Sequence, residues 1–109
     1  MAGAKLVVIY PRPADVDAFE RAYTQEHVPL AVEKMKGMTK FVATRVVGSP
    51  GGGTPPFYRI AELHFPSMAA LNEAASSVEA QEAVAHAVSI STGGEPIFLV
   101  AEEETTTFG

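Results

Sequence analysis

Residues 15–35 hold the side chains best suited to chemistry, because aromatic rings, a histidine and a proline follow one another at helical spacing. At about 100° per residue, the helical step, five residues fall in one narrow sector. These five are Val16, Phe19, Tyr23, His27 and Leu30. Since this apolar stripe should face the core, Tyr23 and His27 should point inward, where a histidine needs a polar partner or a pocket. His27 is therefore the candidate catalytic residue, as a general acid or base.

A purely structural role for His27 is equally compatible with its position. Pro29 cannot donate a backbone hydrogen bond and pushes the preceding residue away from helical geometry. We therefore expect a kink or break near residues 27–29. A histidine close to a helix C-terminus can cap the helix, which contributes about 0.3–1 kcal/mol. Spacing alone leaves the capping and catalytic roles open.

Five further side chains are candidates for binding a small molecule, since small-molecule pockets are usually lined by aromatic groups with a few polar ones. They are Tyr10, Tyr23, Phe41, Tyr58 and His64. The alternative for the tyrosines is a place at the margin of the core with the hydroxyl in water. Tyr58, Glu62 and His64 alternate along one face of a predicted strand, and this face could instead meet a partner subunit.

Neither a metal nor a cofactor is expected from the motifs. His27, His64 and His86 lie on three different predicted elements, without the pair at i, i+4 that binds zinc on one helix. His86 stands in an alanine-rich helix, where surface exposure is expected. Arg45 and Arg59 could bind a carboxylate, but pairing with Glu62 or Glu33 is favoured. The sequence has no glycine-rich dinucleotide or phosphate loop.

The elements that position these residues follow the order strand, helix, strand, strand, helix, strand. Strands are predicted at 5–10, 38–47, 57–65 and 95–102. Helices are predicted at 15–35, from a cap at Ser67, and after a restart at Ser76–Glu79 that runs to Val88. The glycine- and proline-rich segment 48–56 is a flexible hairpin connection. This order predicts one domain, 1–109, with an α+β ferredoxin-like βαββαβ fold: a four-stranded antiparallel sheet with helices on one face.

The first and last predicted strands in the chain, 5–10 and 95–102, are apolar on both faces. Two helices, however, can cover only one face of the sheet. Each apolar side chain left in water forgoes roughly 1.5–3 kcal/mol. A second copy of the chain, sheet against sheet, is the simplest cover, so we expect a symmetric homodimer.

The composition narrows the class of protein and its partners. The chain has 109 residues, of which 47% are hydrophobic and 19% charged, and its formal charge is −5. This charge favours neither nucleic acid nor an anionic membrane as a partner. With no cysteine, disulfides and thiolate chemistry are excluded. The apolar run at residues 6–10 is too short for a secretion signal or a membrane span, so a cytoplasmic location is expected.

Two segments and a glycine resemble the EthD family of the dimeric α/β-barrel superfamily. They are VVIYPRP at residues 7–13, the motif F-x-x-x-Y-x-x-x-H-x-P-L from Phe19 to Leu30, and Gly37 before the second strand. The resemblance covers nearly the whole chain and includes His27 in its motif. One departure is visible, because an Ala-Ala-Asp type segment is frequent in the family where this chain has Val84-Ala85-His86.

The resemblance implies a fold and a homodimer but leaves the reaction open. EthD takes its name from a gene cluster for ethyl tert-butyl ether degradation, and the wider superfamily includes monooxygenases, cyclases, isomerases and haem-binding enzymes. One hypothesis is a cofactor-independent enzyme, of oxygenase, cyclase or isomerase type, acting on a hydrophobic small molecule. The other is a non-catalytic ligand-binding or accessory protein of a degradation or biosynthesis pathway.

Overall fold

The computed structural model describes residues 3–109, which form a four-stranded sheet with helices on one face. The strands are β1 (Ala4–Pro11), β2 (Lys40–Arg45), β3 (Phe57–Phe65) and β4 (Ile97–Glu102). The helices are α1 (Val16–Ala22), α2 (Val28–Lys34), α3 (Met68–Ala75) and α4 (Val78–Ile90), and a π-helical turn (Tyr23–His27) joins α1 to α2. Pairing is antiparallel in the order β2-β3-β1-β4, which confirms the predicted ferredoxin-like fold.

Side-chain alternation gives the sheet two different faces. Leu6, Val8 and Tyr10 share the face that the helices cover, beside Ala61 and Leu63 of β3. The opposite face carries six apolar residues in register: Val7, Ile9, Val42, Ile60, Ile97 and Leu99. All six are exposed or only half-buried in the isolated chain. The second face of the sheet therefore stays apolar and uncovered by the helices.

The first helical segment begins as predicted but does not break. The carboxylate of Asp15 caps α1 by accepting a hydrogen bond from the Ala18 N–H at 3.0 Å. The predicted irregularity near residues 27–29 is not a break, because the backbone stays helical at His27 and Val28. The Val28 N–H instead bonds the Tyr23 carbonyl, five residues earlier, in a π turn. This wider turn leads directly into α2. Pro29 lies in the first turn of α2, where a proline is tolerated because a backbone N–H is not needed there.

The second helical region contains the predicted restart, one residue later than expected. The Ser67 hydroxyl caps α3 at the Ala70 N–H, as predicted. The cap of α4 is Ser77, not Ser76, and its hydroxyl accepts from the Ala80 N–H at 3.1 Å. Within residues 3–109, no helix combines the length and apolarity needed to cross a membrane.

The turn between α4 and β4 leaves no room for a side chain at Gly93. A Cβ there would lie 2.0 Å from the Arg12 carbonyl oxygen, whereas a Cβ at Gly48 in the β2–β3 connection meets no atom within 4 Å. We expect Gly93→Ala to lower the free energy of unfolding by about 1–3 kcal/mol through overpacking against backbone. Gly48→Ala is the matched control and should change it by less than about 0.5 kcal/mol, as surface substitutions usually do. Urea unfolding monitored by circular dichroism measures both, and equal stabilities would contradict the tight approach.

Candidate functional site

A small cavity of about 30 Å³, open on one side, lies between the helix-covered face of the sheet and α2 and α4. Leu6, Val8 and Leu63 form its floor, and Ala31 and Ala83 are among the helical residues above. The most exposed lining residues, Val84 and Phe98, mark its open side. The cavity is thus apolar and aliphatic for most of its surface, which favours contact with an apolar group.

Tyr10 and His27 are the two polar side chains in this lining. The Tyr10 hydroxyl lies 3.1 Å from His27 Nε2, and both residues are almost completely buried. Tyr10 lies on the face of β1 that the helices cover, and the π turn places His27 next to the Tyr10 hydroxyl. The pair therefore presents one hydroxyl and one imidazole edge to an otherwise apolar space.

The second ring nitrogen of His27 contacts another histidine. His27 Nδ1 and His86 Nδ1 are 3.0 Å apart, and the two rings are nearly parallel. His86 Nε2 in turn lies 3.8 Å from a carboxylate oxygen of Glu26. His86 is therefore only partly exposed, with its ring against His27, where the sequence predicted a fully exposed residue. Ala83 and Ala87 form part of the buried face of α4, and His86 lies at the margin of that face.

An aromatic cluster supports the pair from behind. Phe19 and Tyr23 stack, and Tyr10 packs edge-on against both rings. The Arg59 guanidinium lies 4.9 Å from the centre of the Tyr23 ring and forms two hydrogen bonds with the Glu20 carboxylate, at 2.7 and 2.9 Å. These contacts hold the rings that set the position of Tyr10 and His27.

The arginine partners differ from the predicted ones. Arg59 pairs with Glu20, and Arg45 approaches the same carboxylate at 3.9 Å, so pairing with Glu62 or Glu33 is wrong. The Arg59 hydrogen bonds lower the pKa of Glu20 below its ordinary value. The carboxylate therefore stays ionised and keeps its bidentate contact.

Burial determines the protonation of the site. Desolvation, with a smaller contribution from His86, lowers the pKa of His27 from 6.5 to about 4. Desolvation also raises the pKa of Tyr10 well above its ordinary value and that of Tyr23 to about 12. At neutral pH the site is therefore an uncharged imidazole hydrogen-bonded to an uncharged phenol.

The other predicted binding residues divide between the cavity and the rest of the molecule. Phe41 lines the cavity. Tyr23 lies behind the lining, and its buried hydroxyl has no hydrogen-bond partner within residues 3–109. Tyr58 packs edge-on against Phe19, outside the cavity lining, with the Arg12 guanidinium over its ring. Tyr58 and Tyr23 therefore do not line this cavity, contrary to the prediction.

His64 does not line this cavity, because it lies on the opposite face of the sheet, the alternative that the sequence left open. There it contacts Glu62 at 3.1 Å and Glu103 at 3.7 Å, and Lys5 pairs with both carboxylates. The histidine and the two carboxylates lie close enough together to hold a metal ion. The Lys5 ammonium already supplies a positive charge to these carboxylates, and this face is the one that the sequence assigns to a partner subunit.

The shifted pKa of His27 predicts a specific pH dependence of stability. The unfolded chain takes up a proton at His27 near pH 6.5 and the folded chain only near pH 4, so acid favours unfolding in this interval. The free energy of unfolding should therefore fall as pH decreases from 6.5 to 4, and less steeply in His27→Asn. Urea titrations across this range measure the slope, with His64→Asn as the control. Identical slopes in His27→Asn and the native chain would contradict a buried neutral His27.

Comparisons with known proteins place the chain among small proteins of this fold. It is 33% identical over 99 residues, 91% of this chain and 94% of the relative, to an uncharacterized 11.0 kDa protein in the thcB-thcC intergenic region of Rhodococcus erythropolis. An EthD-family protein of Bacillus halodurans matches with a TM-score of 0.85 and 29% identity, over 94% of this chain and 99% of that one. A dimeric ferredoxin-like protein of unknown function from Jannaschia sp. CCS1 matches with a TM-score of 0.64 and 18% identity, over 94% of this chain and all of that one.

A match to a family model identifies the family of the chain. The EthD domain model covers residues 11–88, which include the π turn with His27 and the helix with His86. This match spans well over half of the chain, and it agrees with the resemblance carried by the motif from Phe19 to Leu30. The chain belongs to the EthD family.

Proposed function

We propose that the chain is a cofactor-independent enzyme that removes or returns a proton on a small hydrophobic molecule bound between the helices and the sheet. The observation that carries this proposal is the Tyr10–His27 pair, joined at 3.1 Å on the wall of an otherwise apolar cavity. A polar pair of this kind is costly to bury, and it is directed at space that a ligand can occupy.

Proton removal is the step that this geometry serves best. An uncharged imidazole is a base, whereas a protonated one is not, and the low pKa of His27 keeps the ring uncharged at neutral pH. The Tyr10 hydroxyl donates to His27 Nε2, so its oxygen can accept a proton from the ligand while its own proton passes to the imidazole. Deprotonation of carbon next to a carbonyl begins isomerisation and cyclisation. Deprotonation of a phenol makes its ring more reactive toward oxygen. The three reaction types implied by the family thus share this first step.

The proposed assembly is a homodimer joined through the apolar face of the sheet that the helices leave open. Ile97 and Leu99 are 39% and 48% exposed on that face, and four further apolar residues are half-buried beside them. The ion-paired cluster around Lys5 lies at one end of the same face. The dimeric protein from Jannaschia has the same fold, which supports this arrangement.

The alternative function is a non-catalytic ligand-binding or accessory protein. One observation favours it: both ring nitrogens of His27 already have protein partners, Tyr10 and His86. In that case the cavity would hold an apolar molecule without any exchange of protons. The two functions differ in whether the bound molecule loses a proton to the protein.

Hydrogen–deuterium exchange of a small carbon acid tests the proposed enzyme before its substrate is known. β-Tetralone is a hydrophobic bicyclic ketone, and nuclear magnetic resonance in D₂O follows the loss of its acidic C–H signal. We expect the protein to accelerate this loss, and His27→Asn to reduce the acceleration by about 10²–10⁴-fold. His64→Asn, which alters a histidine on the other face of the sheet, should behave as the native chain. Binding that shifts the ring signals of His27 without accelerated exchange would contradict the enzyme and support the non-catalytic function.

Sedimentation equilibrium at micromolar concentration tests the dimer. The native chain should sediment with twice its 11.5 kDa mass. Leu99→Lys places a charge on the uncovered sheet face and should shift the equilibrium toward monomer, because burying an unpaired charge is costly. Val78→Lys is the matched control, since Val78 is 70% exposed at the start of α4. A native chain that sediments as a folded monomer, or a Leu99→Lys variant as dimeric as the control, would contradict this interface.

A further inference from the structure

We propose that Tyr10, His27, His86 and Glu26 form a proton relay that connects the cavity to solvent, with His86 as its intermediate carrier. The inference rests on the proposed function, because it gives the proton removed in the cavity a route to water.

The geometry aligns polar atoms in two contacts at hydrogen-bond distance and one wider step. The three gaps are 3.1 Å from Tyr10 Oη to His27 Nε2, 3.0 Å from His27 Nδ1 to His86 Nδ1, and 3.8 Å from His86 Nε2 to Glu26 Oε1. Exposure increases along the same path: Tyr10 is fully buried, the His86 side chain is 24% exposed and that of Glu26 is 68% exposed. The path thus starts at the cavity wall and ends in water.

The donors along this path can all point outward. Tyr10 keeps its proton and donates it to His27 Nε2, so the uncharged His27 carries its own proton on Nδ1. That N–H donates to His86 Nδ1, and the remaining proton of an uncharged His86 is then on Nε2, facing Glu26. Each group both accepts from the cavity side and donates to the solvent side.

One transfer along the path is balanced in atoms and charge. The bond between the substrate and its acidic hydrogen breaks, and that proton forms a new O–H bond on Tyr10. The former Tyr10 proton passes to His27 Nε2, the Nδ1 proton of His27 to His86 Nδ1, and the Nε2 proton of His86 to the Glu26 carboxylate. The substrate becomes an anion, Glu26 becomes a neutral acid that exchanges with water, and the three groups between them stay uncharged.

The choice of side chain at position 86 distinguishes a relay from simple support. A histidine ring is commonly oriented by a backbone carbonyl, which accepts a hydrogen bond but cannot pass a proton on. An imidazole accepts on one nitrogen and donates from the other, so it can. His86 also places its second nitrogen toward a carboxylate, which would be unnecessary for filling space.

The exchange rate of the His27 Nδ1 proton with water tests the relay in the ligand-free protein. Saturation transfer in nuclear magnetic resonance of ¹⁵N-histidine-labelled protein measures this rate near neutral pH. His86→Gln keeps a hydrogen-bond partner for His27 but cannot pass a proton, so the exchange should slow by about 10²-fold, the lower end of general acid–base effects. Circular dichroism verifies the fold of the variant. Unchanged or faster exchange would overturn the relay, since a supporting residue can only loosen the site when replaced.

A second pair of variants avoids any change in the core. Glu26→Gln removes the exposed acceptor at the end of the path and should slow the exchange by a smaller factor than His86→Gln does. Glu33→Gln neutralises another exposed carboxylate of the same helical segment and should leave the rate unchanged. Equal rates in these two variants would overturn the assignment of Glu26.

The outcomes for the relay and for the proposed function can be distinguished. Slower exchange in His86→Gln without any protein-accelerated exchange of β-tetralone supports the relay and contradicts the enzyme. Accelerated exchange of β-tetralone that is insensitive to His86→Gln supports the enzyme and contradicts the relay.

Discussion

The contact between Tyr10 and His27 is the constraint on which the rest of this small domain depends. It joins β1, one of the two central strands of the sheet, to the π turn between α1 and α2, in a place where neither polar group reaches water. Losing it would leave a buried hydroxyl or imidazole without a partner, at a cost of about 1–3 kcal/mol. The stacked rings of Phe19 and Tyr23 and the Arg59–Glu20 ion pair hold the helix at the height above the sheet that this contact requires.

The element order, the antiparallel sheet and the inward direction of His27 were all predictable from the sequence, because alternation and helical periodicity report directly on which face is buried. The environment of His27 was not. Its partner on α4 is 59 residues away in the chain, and only the packing of two helices brings them together. His86 did carry a weak signal, since Ala83 and Ala87 repeat at helical spacing beside it, and an alanine-lined face is one that can approach another helix closely.

The spacing of the buried residues indicates the π turn more clearly than Pro29 does. The buried residues of the first helical segment recur at a strict spacing of four: Phe19, Tyr23, His27, Ala31 and Met35. In a regular α-helix each such step drifts by about 40°, so the first and last would lie on nearly opposite sides. A wider turn removes much of this drift.

The positions of Tyr58 and His64 outside the cavity could not be predicted for a different reason. Neither alternation nor composition shows which face of a strand the helices cover, or where a strand becomes irregular.

The π turn also has a consequence for how the gene can change. It acts as a phase adjuster between α1 and α2, since one half of the segment orients Phe19 and the other half orients Ala31 and Met35 toward the same sheet. Loss of a single codon within the turn would restore a regular helix and leave the two halves close to their present relative orientation. Loss of a codon within α1 or α2, with the π turn kept, would instead rotate part of the segment by about 100° and turn an apolar stripe to solvent. The lengths of α1 and α2 should therefore be inherited unchanged, whereas the extra residue of the π turn is the one whose loss the fold tolerates.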